Sequence, residues 1–411
     1  MILHKRILLL VDCCYPSTKS AAKLMQDLAE GFRDRGVETT LAAPEPALDV
    51  PFVLSEENGL RFVRVRTGEV KHALRPLRAL NEMTLSLVFW HRLRNFFHKT
   101  PHDYVVAYSP TIFFGPLLKR LKELWNCRTY LILRDIFPKW AVDAGVIRRG
   151  PAYFVFRHYE LVQYAAADII GVQSPANLKY FQGEDMPAYP QKALEVLYNW
   201  TREEETNLPE TNFRAKLGLE NKIVLFYGGN LGVAQDVDNL LRLAENLLLE
   251  PLAHILIVGS GSEFHKLCSN IDERGLKNVT LLGAVGQREY LSMLGEFDIG
   301  LISLAPWLTT HNVPGKLLGY LYQGLPTLAS LNPGNDLAQL LEDSGAGLAC
   351  INGDDTVLAK QARRMINDED LRAKMGNAAR RLLKKQFSVY GAVDQILHRL
   401  ENYSESGLEQ T

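Results

Sequence analysis

The sequence has little of several things, and each shortage excludes a class. Its apolar runs are short: the one near the start, Ile7–Val11, ends at Asp12, and no run approaches the roughly 18 residues of a membrane-crossing helix. Neither a secretory leader nor a transmembrane span is expected. The five cysteines (Cys13, Cys14, Cys127, Cys268, Cys350) show no CxxC spacing, so neither a zinc site nor a disulfide framework is expected, and a reducing cytosol fits best. Nothing repeats at a short period, which argues against a solenoid. Net charge is also scarce, at −1 from 46 Lys+Arg and 47 Asp+Glu. That balance, with no reader motif, argues against a nucleic-acid partner.

The neutral total hides an asymmetry. Residues 1–200 carry 26 Lys+Arg against 20 Asp+Glu, and residues 201–411 carry 20 against 27. The excess is concentrated in residues 61–102, where Arg61, Arg64, Arg66, Lys71, Arg75, Arg78, Arg92, Arg94 and Lys99 face only Glu69 and Glu82. Leu85, Val88, Phe89, Trp90, Leu93, Phe96 and Phe97 recur there at nearly helical spacing. Such a segment reads either as a basic-aromatic helix on an anionic membrane, through residues 71–99, or as a core helix with a charged edge.

What is present is a repeated alternation. Short Ile/Leu/Val-rich runs predict strands at Arg6–Val11, Val37–Leu41, Arg61–Val65, Tyr104–Ala107, Thr129–Leu133, Asp168–Val172 and Leu194–Leu197. A second set falls at Ile223–Tyr227, His254–Val258, Val279–Leu282, Ile299–Ser303, Thr327–Ser330 and Gly347–Ala349. Amphipathic stretches such as Ala21–Arg35, Val237–Leu249 and Phe264–Arg274 separate them. Near-continuous apolar strands are buried on both faces, as in a parallel sheet. At 411 residues the chain exceeds one core. The pattern predicts an α/β protein of two doubly wound Rossmann-like domains, residues 1–198 and 199–387, with a helix at 388–411 packing back towards the first.

Two glycine-rich turns open helices in the second half: Gly228-Gly229-Asn230-Leu231-Gly232 after Ile223–Tyr227, and Gly259-Ser260-Gly261-Ser262-Glu263 after His254–Val258. Backbone N–H groups in such turns approach a diphosphate closely, although glycine also serves simply to make a tight turn. The string Asn312-Val313-Pro314-Gly315-Lys316, running on to Gly324-Leu325-Pro326, places a lysine in the first turn of a helix. There it would be a cation for a metal-free diphosphate site. Asp236-Val237-Asp238 is the literal Asp-x-Asp of metal sites, but at a helix start its acids also suit the dipole.

These strings, with Arg134-Asp135-Ile136-Phe137-Pro138 and Tyr198-Asn199-Trp200, resemble the retaining glycosyltransferases of family 4, which have the GT-B fold of two Rossmann-like domains facing across a cleft. The resemblance covers almost the full chain and is similar to the fucosamine-transferase-like branch of bacterial O-antigen and capsule synthesis. It implies metal-independent transfer from a nucleotide sugar, UDP-linked, to a polyprenyl-diphosphate-linked glycan at the cytoplasmic membrane face. It implies no resident cofactor. By position, Gly229, Asn230, Gly232, Gly261, Glu263, Val285, Asn312, Pro314 and Lys316 would contact the donor, with Lys316 and Asp135 as catalytic residues. Arg134 and Asp135 would line the acceptor side; Asp135 also suits a helix N-cap. The chain departs from the family at His311 and Gly319, where a Glu-x7-Glu pair is usual, at Asn230 and Gln235, where Arg and Lys are usual, and at Ser20-Ala21-Ala22, where Gly-Gly is usual. Those departures leave a second reading: a catalytically impaired GT-B protein acting as a partner or scaffold in polysaccharide assembly.

Overall fold

A computed structural model describes residues 5–14, 20–69, 80–183, 186, 193–203, 208–309 and 311–403. The contacts divide the chain into two units: unit 1 is Met1–Thr201 with Val389–Thr411, and unit 2 is Arg202–Ser388.

Unit 1 is built on strands β1 (Arg6–Leu10), β2 (Glu38–Pro44), β3 (Phe52–Glu57), β4 (Leu60–Val65), β5 (Tyr104–Ser109), β6 (Arg128–Leu133), β7 (Ile169–Val172) and β8 (Ala193–Val196). They form one sheet in the order β3-β4-β2-β1-β5-β6-β7-β8. All neighbours are parallel except β3 and β4, a hairpin closed by Asn58 and Gly59 at φ of 53° and 73°. Two consecutive positive φ values make the tight turn whose twist suits a hairpin. Helices α1 (Ser20–Asp34), α2 (Leu85–Lys99), α3 (Gly115–Trp125), α4 (Lys139–Asp143) and α5 (Pro151–Ala166) cover the sheet.

The basic-aromatic helix α2 turns its stripe inward. Leu85, Phe89, Leu93 and Phe97 are buried in the core with Val105, Leu117 and Leu131. Its aromatic periodicity is therefore that of a core helix. Lys71, Arg75 and Arg78 lie outside the described residues, as do the side chain of Ser20 and the acids Glu204 and Glu205.

Unit 2 has β9 (Ile223–Asn230), β10 (Ala253–Ser260), β11 (Val279–Leu282), β12 (Ile299–Ser303), β13 (Thr327–Leu331) and β14 (Gly347–Ile351), all parallel, in the order β11-β10-β9-β12-β13-β14. Helices α6 (Asp238–Asn246), α7 (Phe264–Glu273), α8 (Gln287–Met293), α9 (Lys316–Gln323), α10 (Leu337–Ser344), α11 (Asp355–Asn367) and α12 (Glu369–Gln386) pack around it. The strand order reverses between β1 and β5 in unit 1 and between β9 and β12 in unit 2. The carboxyl ends of strands at such a reversal are where open α/β sheets hold ligands.

Helix α13 (Val389–Asn402) completes unit 1. It buries Val389, Val393, Ile396 and Leu400 in the cluster that holds Met25, Leu28 and Phe32 of α1. Arg35 grips Asp394 with two bonds of 2.7 Å, and Arg399 meets Glu195 at 2.6 Å.

Candidate functional site

In unit 2 the tail of β9 carries the first glycine turn. Gly229, at φ 120°, and Asn230 are exposed and run beside Gly259 and Ser260 of β10. Lys316 opens α9 beneath them: a Cβ on Gly229 would lie 3.8 Å from the Lys316 Cε. The Lys316 ammonium donates to Tyr227 Oη at 3.1 Å and stands 4.3 Å from the centre of that ring. Tyr227 Oη in turn donates to the Asn230 carbonyl at 2.9 Å. No carboxylate pairs with Lys316 among the described residues, and burial pulls its pKa from the ordinary 10.5 down to about 8. A desolvated cation held only by a phenol and a ring face gains most from an added anion.

Gly232 lies under two polar side chains. Asn230 donates to Gln235 Oε1 at 3.0 Å, and the Gly232 amide reaches the same oxygen at 3.2 Å. The positions where the resemblance expects Arg and Lys thus hold two neutral amides bonded to each other. Gly261 has a different explanation. A side chain there would collide with the Leu231 backbone, as one at Gly259 would with the Gly229 carbonyl. Close approach of two backbones requires both glycines, whatever binds nearby.

Glu263 caps the entry to α7, bonded through its amide to the Leu231 carbonyl at 2.9 Å and facing Lys266 Nζ at 3.5 Å. With Gly232, Asp236, Asn270 and Trp307 it lines a pocket of about 330 Å³ that does not include Lys316. Asp236 and Asp238 are neutralised by arginines: Arg242 meets them at 3.2 and 3.3 Å, and Arg274 meets Asp238 at 2.5 Å. Val285 is half-buried in the loop between β11 and α8. Asn312 and Pro314 are half-buried in the segment leading into α9, where His311 Nε2 lies 3.1 Å from the Pro333 carbonyl.

Gly319 faces the interior. A Cβ there would stand 2.9 Å from Leu294 and 3.5 Å from the Tyr290 ring. A carboxylate at this position would be driven into apolar packing between α8 and α9.

In unit 1, Asp12 and Cys13 follow β1, Ser109 ends β5, and Arg134 and Asp135 follow β6, so all lie at the carboxyl edge of the sheet. Burial holds the Asp135 carboxyl above its usual range; the Arg134 charge opposes this and the Asp12 charge adds to it. Arg134 itself is only 4% exposed and is spent inward. It donates to the Leu197 carbonyl at 2.6 Å and the Tyr198 carbonyl at 3.4 Å, and lies 5.0 Å from the Trp200 ring centre. The Leu197–Trp200 segment after β8 is what this arginine holds. Burial brings its pKa down to about 10.

Sequence reasoning missed Tyr227, the platform under Lys316, and Asp12, the neighbour of Asp135. Tyr227 had one signal, as the polar-tipped residue of an apolar strand immediately before Gly228-Gly229.

Residues 209–382 match the family described as Glycosyl transferases group 1. Two curated relatives are the probable glycosyltransferase WbjE of Pseudomonas aeruginosa, 24% identical over 65% of this chain and 66% of its own length, and the putative colanic acid biosynthesis glycosyl transferase WcaI of Escherichia coli, 24% identical over 61% and 62%. The chain thus spans less than two thirds of the length of these curated relatives. Among solved structures, sucrose-phosphate synthase of Thermosynechococcus elongatus superposes with a TM-score of 0.73 at 16% identity, covering 97% of this chain and 100% of the other. WaaG, a glycosyltransferase of lipopolysaccharide biosynthesis, gives 0.64 at 15% identity, covering 96% and 100%. Anabaena Alr3699/HepE, solved with UDP and glucose, gives 0.67 at 17% identity, covering 97% and 100%. The chain therefore carries a glycosyl transferases group 1 domain in its second unit, within a GT-B fold of two Rossmann-like domains.

Proposed function

We propose that this chain is a retaining, metal-independent glycosyltransferase of cell-surface glycan synthesis. Its donor is a nucleotide sugar, UDP-linked, and its acceptor a lipid-linked glycan. The observation that carries the reading is Lys316: a desolvated cation without a carboxylate, beside an exposed glycine turn at the strand-order reversal of a group 1 domain. A diphosphate supplies the anion that this lysine lacks. The solved neighbours bound to UDP and glucose, or to UDP-2-fluoro glucose, support a uridine nucleotide. Transfer moves the anomeric carbon from the diphosphate oxygen to an acceptor hydroxyl, whose proton leaves with the nucleotide or a nearby base. Asp135 is proposed to orient that hydroxyl, and Lys316 to stabilise the charge on the departing diphosphate.

The Asn230–Gln235 pair favours the impaired-scaffold alternative, because two neutral amides stand where the resemblance expects Arg and Lys. Melting curves with UDP, dTDP and GDP separate the two. At a nucleotide concentration 100 times Kd, mass action stabilises the folded state by about 2.7 kcal/mol. The transferase reading expects a rise in melting temperature with UDP that Lys316→Ala removes. No rise with any of the three nucleotides returns the chain to the scaffold reading.

A further inference from the structure

We propose that the pocket at the starts of α6 and α7 is a second saccharide site, for a neutral sugar unit other than the one carried by the nucleotide. Its volume of about 330 Å³ lies in the range of small-ligand sites, and its lining has two parts. The apolar part comes from the loop after β12 and the turn after β9. Trp307 and Val233 line the pocket while 41% and 60% exposed, and Leu267, below them in the core, is buried. The Ala305 amide donates to the Ala234 carbonyl at 2.9 Å, which ties the Trp307 loop to the Val233 turn. The polar part is Asp236, Asp238, Glu263, Lys266 and Asn270. An aromatic ring beside several fixed hydrogen-bonding groups suits a sugar, which has an apolar face of C–H bonds and a rim of hydroxyls.

Charge decides which kind of ligand fits. Asp236, Asp238 and Glu263 are balanced by Arg242, Arg274 and Lys266, so the three carboxylates add no net charge. They remain acceptors all the same. Asp236 Oδ2 accepts from Arg242 at 3.2 Å and from Asn352 at 2.9 Å, while its Oδ1 accepts nothing among the described residues. Glu263 Oε2 faces Lys266 at 3.5 Å, and its Oε1 is likewise unused. Ionised carboxylates only accept hydrogen bonds, so the ligand must bring donors. An anion would meet those acceptors, and a cation would meet acids that are already paired. A polyol brings hydroxyl donors and no charge.

The sheet separates this pocket from the residues proposed to hold the nucleotide. Side chains alternate along β9. Leu225 and Tyr227 pack in the cluster with Leu240 and Leu241 of α6 and Leu267 of α7. Phe226 meets Tyr290 of α8 at 5.9 Å and Tyr320 of α9 at 6.3 Å. Helices α6 and α7 therefore cover one face of the sheet and α8 and α9 the other, with Lys316 opening α9 and absent from the pocket lining. Gly232 and Glu263, expected at the donor, line the pocket instead. The proposal rests on the glycosyl transferases group 1 domain of unit 2 and not on the donor proposed for Lys316, so either can fail alone.

Saturation-transfer NMR of the full chain tests the proposal, with neutral mono- and disaccharides of glucose, galactose, mannose and N-acetylglucosamine as probes, with and without excess UDP. At least one saccharide should receive saturation, and the signal should persist when UDP is added. Trp307→Ala should weaken that saccharide's affinity about tenfold. Glu263→Gln, which keeps the shape of the side chain, should weaken it about fivefold and repeats the test if the tryptophan variant does not fold. Lys316→Ala should leave saccharide binding unchanged while removing the response to UDP. No saturation of any of these saccharides overturns the proposal. Displacement by UDP, or binding lost with Lys316→Ala, would make the pocket part of the nucleotide site and overturn it too. So would wild-type affinity in folded Trp307→Ala and Glu263→Gln variants.

Discussion

Burial disfavours the charged form of Lys316, and a bound anion would favour it. Its pKa of about 8 lies below the 10.5 it would have in the unfolded chain. Between those values the unfolded state binds the extra proton, so the folded state gains stability as pH rises from about 8 to 10.5. Below pH 8 the folded protein carries the full penalty. Lys316→Met should therefore raise stability at pH 7 by roughly 1–3 kcal/mol in urea unfolding while abolishing the nucleotide response. The pH-dependent part of that gain should vanish above pH 10.5. Binding of a nucleotide diphosphate to the wild type should weaken as pH rises through about 8, because the anion needs the protonated amine. A pH-independent Kd across 7 to 9.5, by calorimetry, would remove Lys316 from the site.

Gly319 gives a second test at this scale. The family pattern suggests that a glutamate there is missing, but the space beyond its Cα belongs to Leu294 and Tyr290. Gly319→Glu should therefore cost about 2–4 kcal/mol by overpacking and by burying a carboxylate, and should not improve nucleotide affinity. A stable variant with tighter UDP binding would show that the position faces the ligand.

Secondary-structure elements were legible wherever the pattern had one cause. Parallel strands buried on both faces write themselves as unbroken Ile/Leu/Val runs, and each predicted run overlaps a strand. Strand β3 was not predicted: half exposed at the sheet edge, it reads FVLSEE rather than as an apolar run. Its signal was the Asn58-Gly59 pair that closes the hairpin. Helix α2 shows the opposite limit, since aromatic spacing reveals a face but not what that face meets. Helix α13 matters more than its length suggests. Deleting Val389–Asn402 should uncover Met25, Leu28 and Phe32, lower the unfolding temperature of unit 1 and leave the transition of unit 2 in place. A single unchanged melting curve after the deletion would refute that dependence.

At the scale of the molecule, the candidate site was partly legible. Glycine turns and a lysine at a helix start announce themselves through spacing. What spacing cannot separate is a glycine kept for a ligand from one kept for a neighbour: Gly229 is open to solvent, while Gly261 is pressed against Leu231. Arg134 is similar, cationic and adjacent to Asp135, yet directed at the backbone of Leu197 and Tyr198. The charge split between the halves now has a more specific content. Of the nine basic residues at 61–102, Arg92, Arg94 and Lys99 lie on a helix with a core-facing stripe, Arg61 and Arg64 on β4, and Lys71, Arg75 and Arg78 outside the described residues.

Because unit 1 ends with α13, unit 2 is an insertion within it. The ribosome makes β1 to β8 first, yet the helix that covers α1 emerges only after all of Arg202–Ser388. Until then the apolar face of α1 waits without its cover while the inserted domain is free to fold. During synthesis the earlier half of this protein is therefore the later one to be finished.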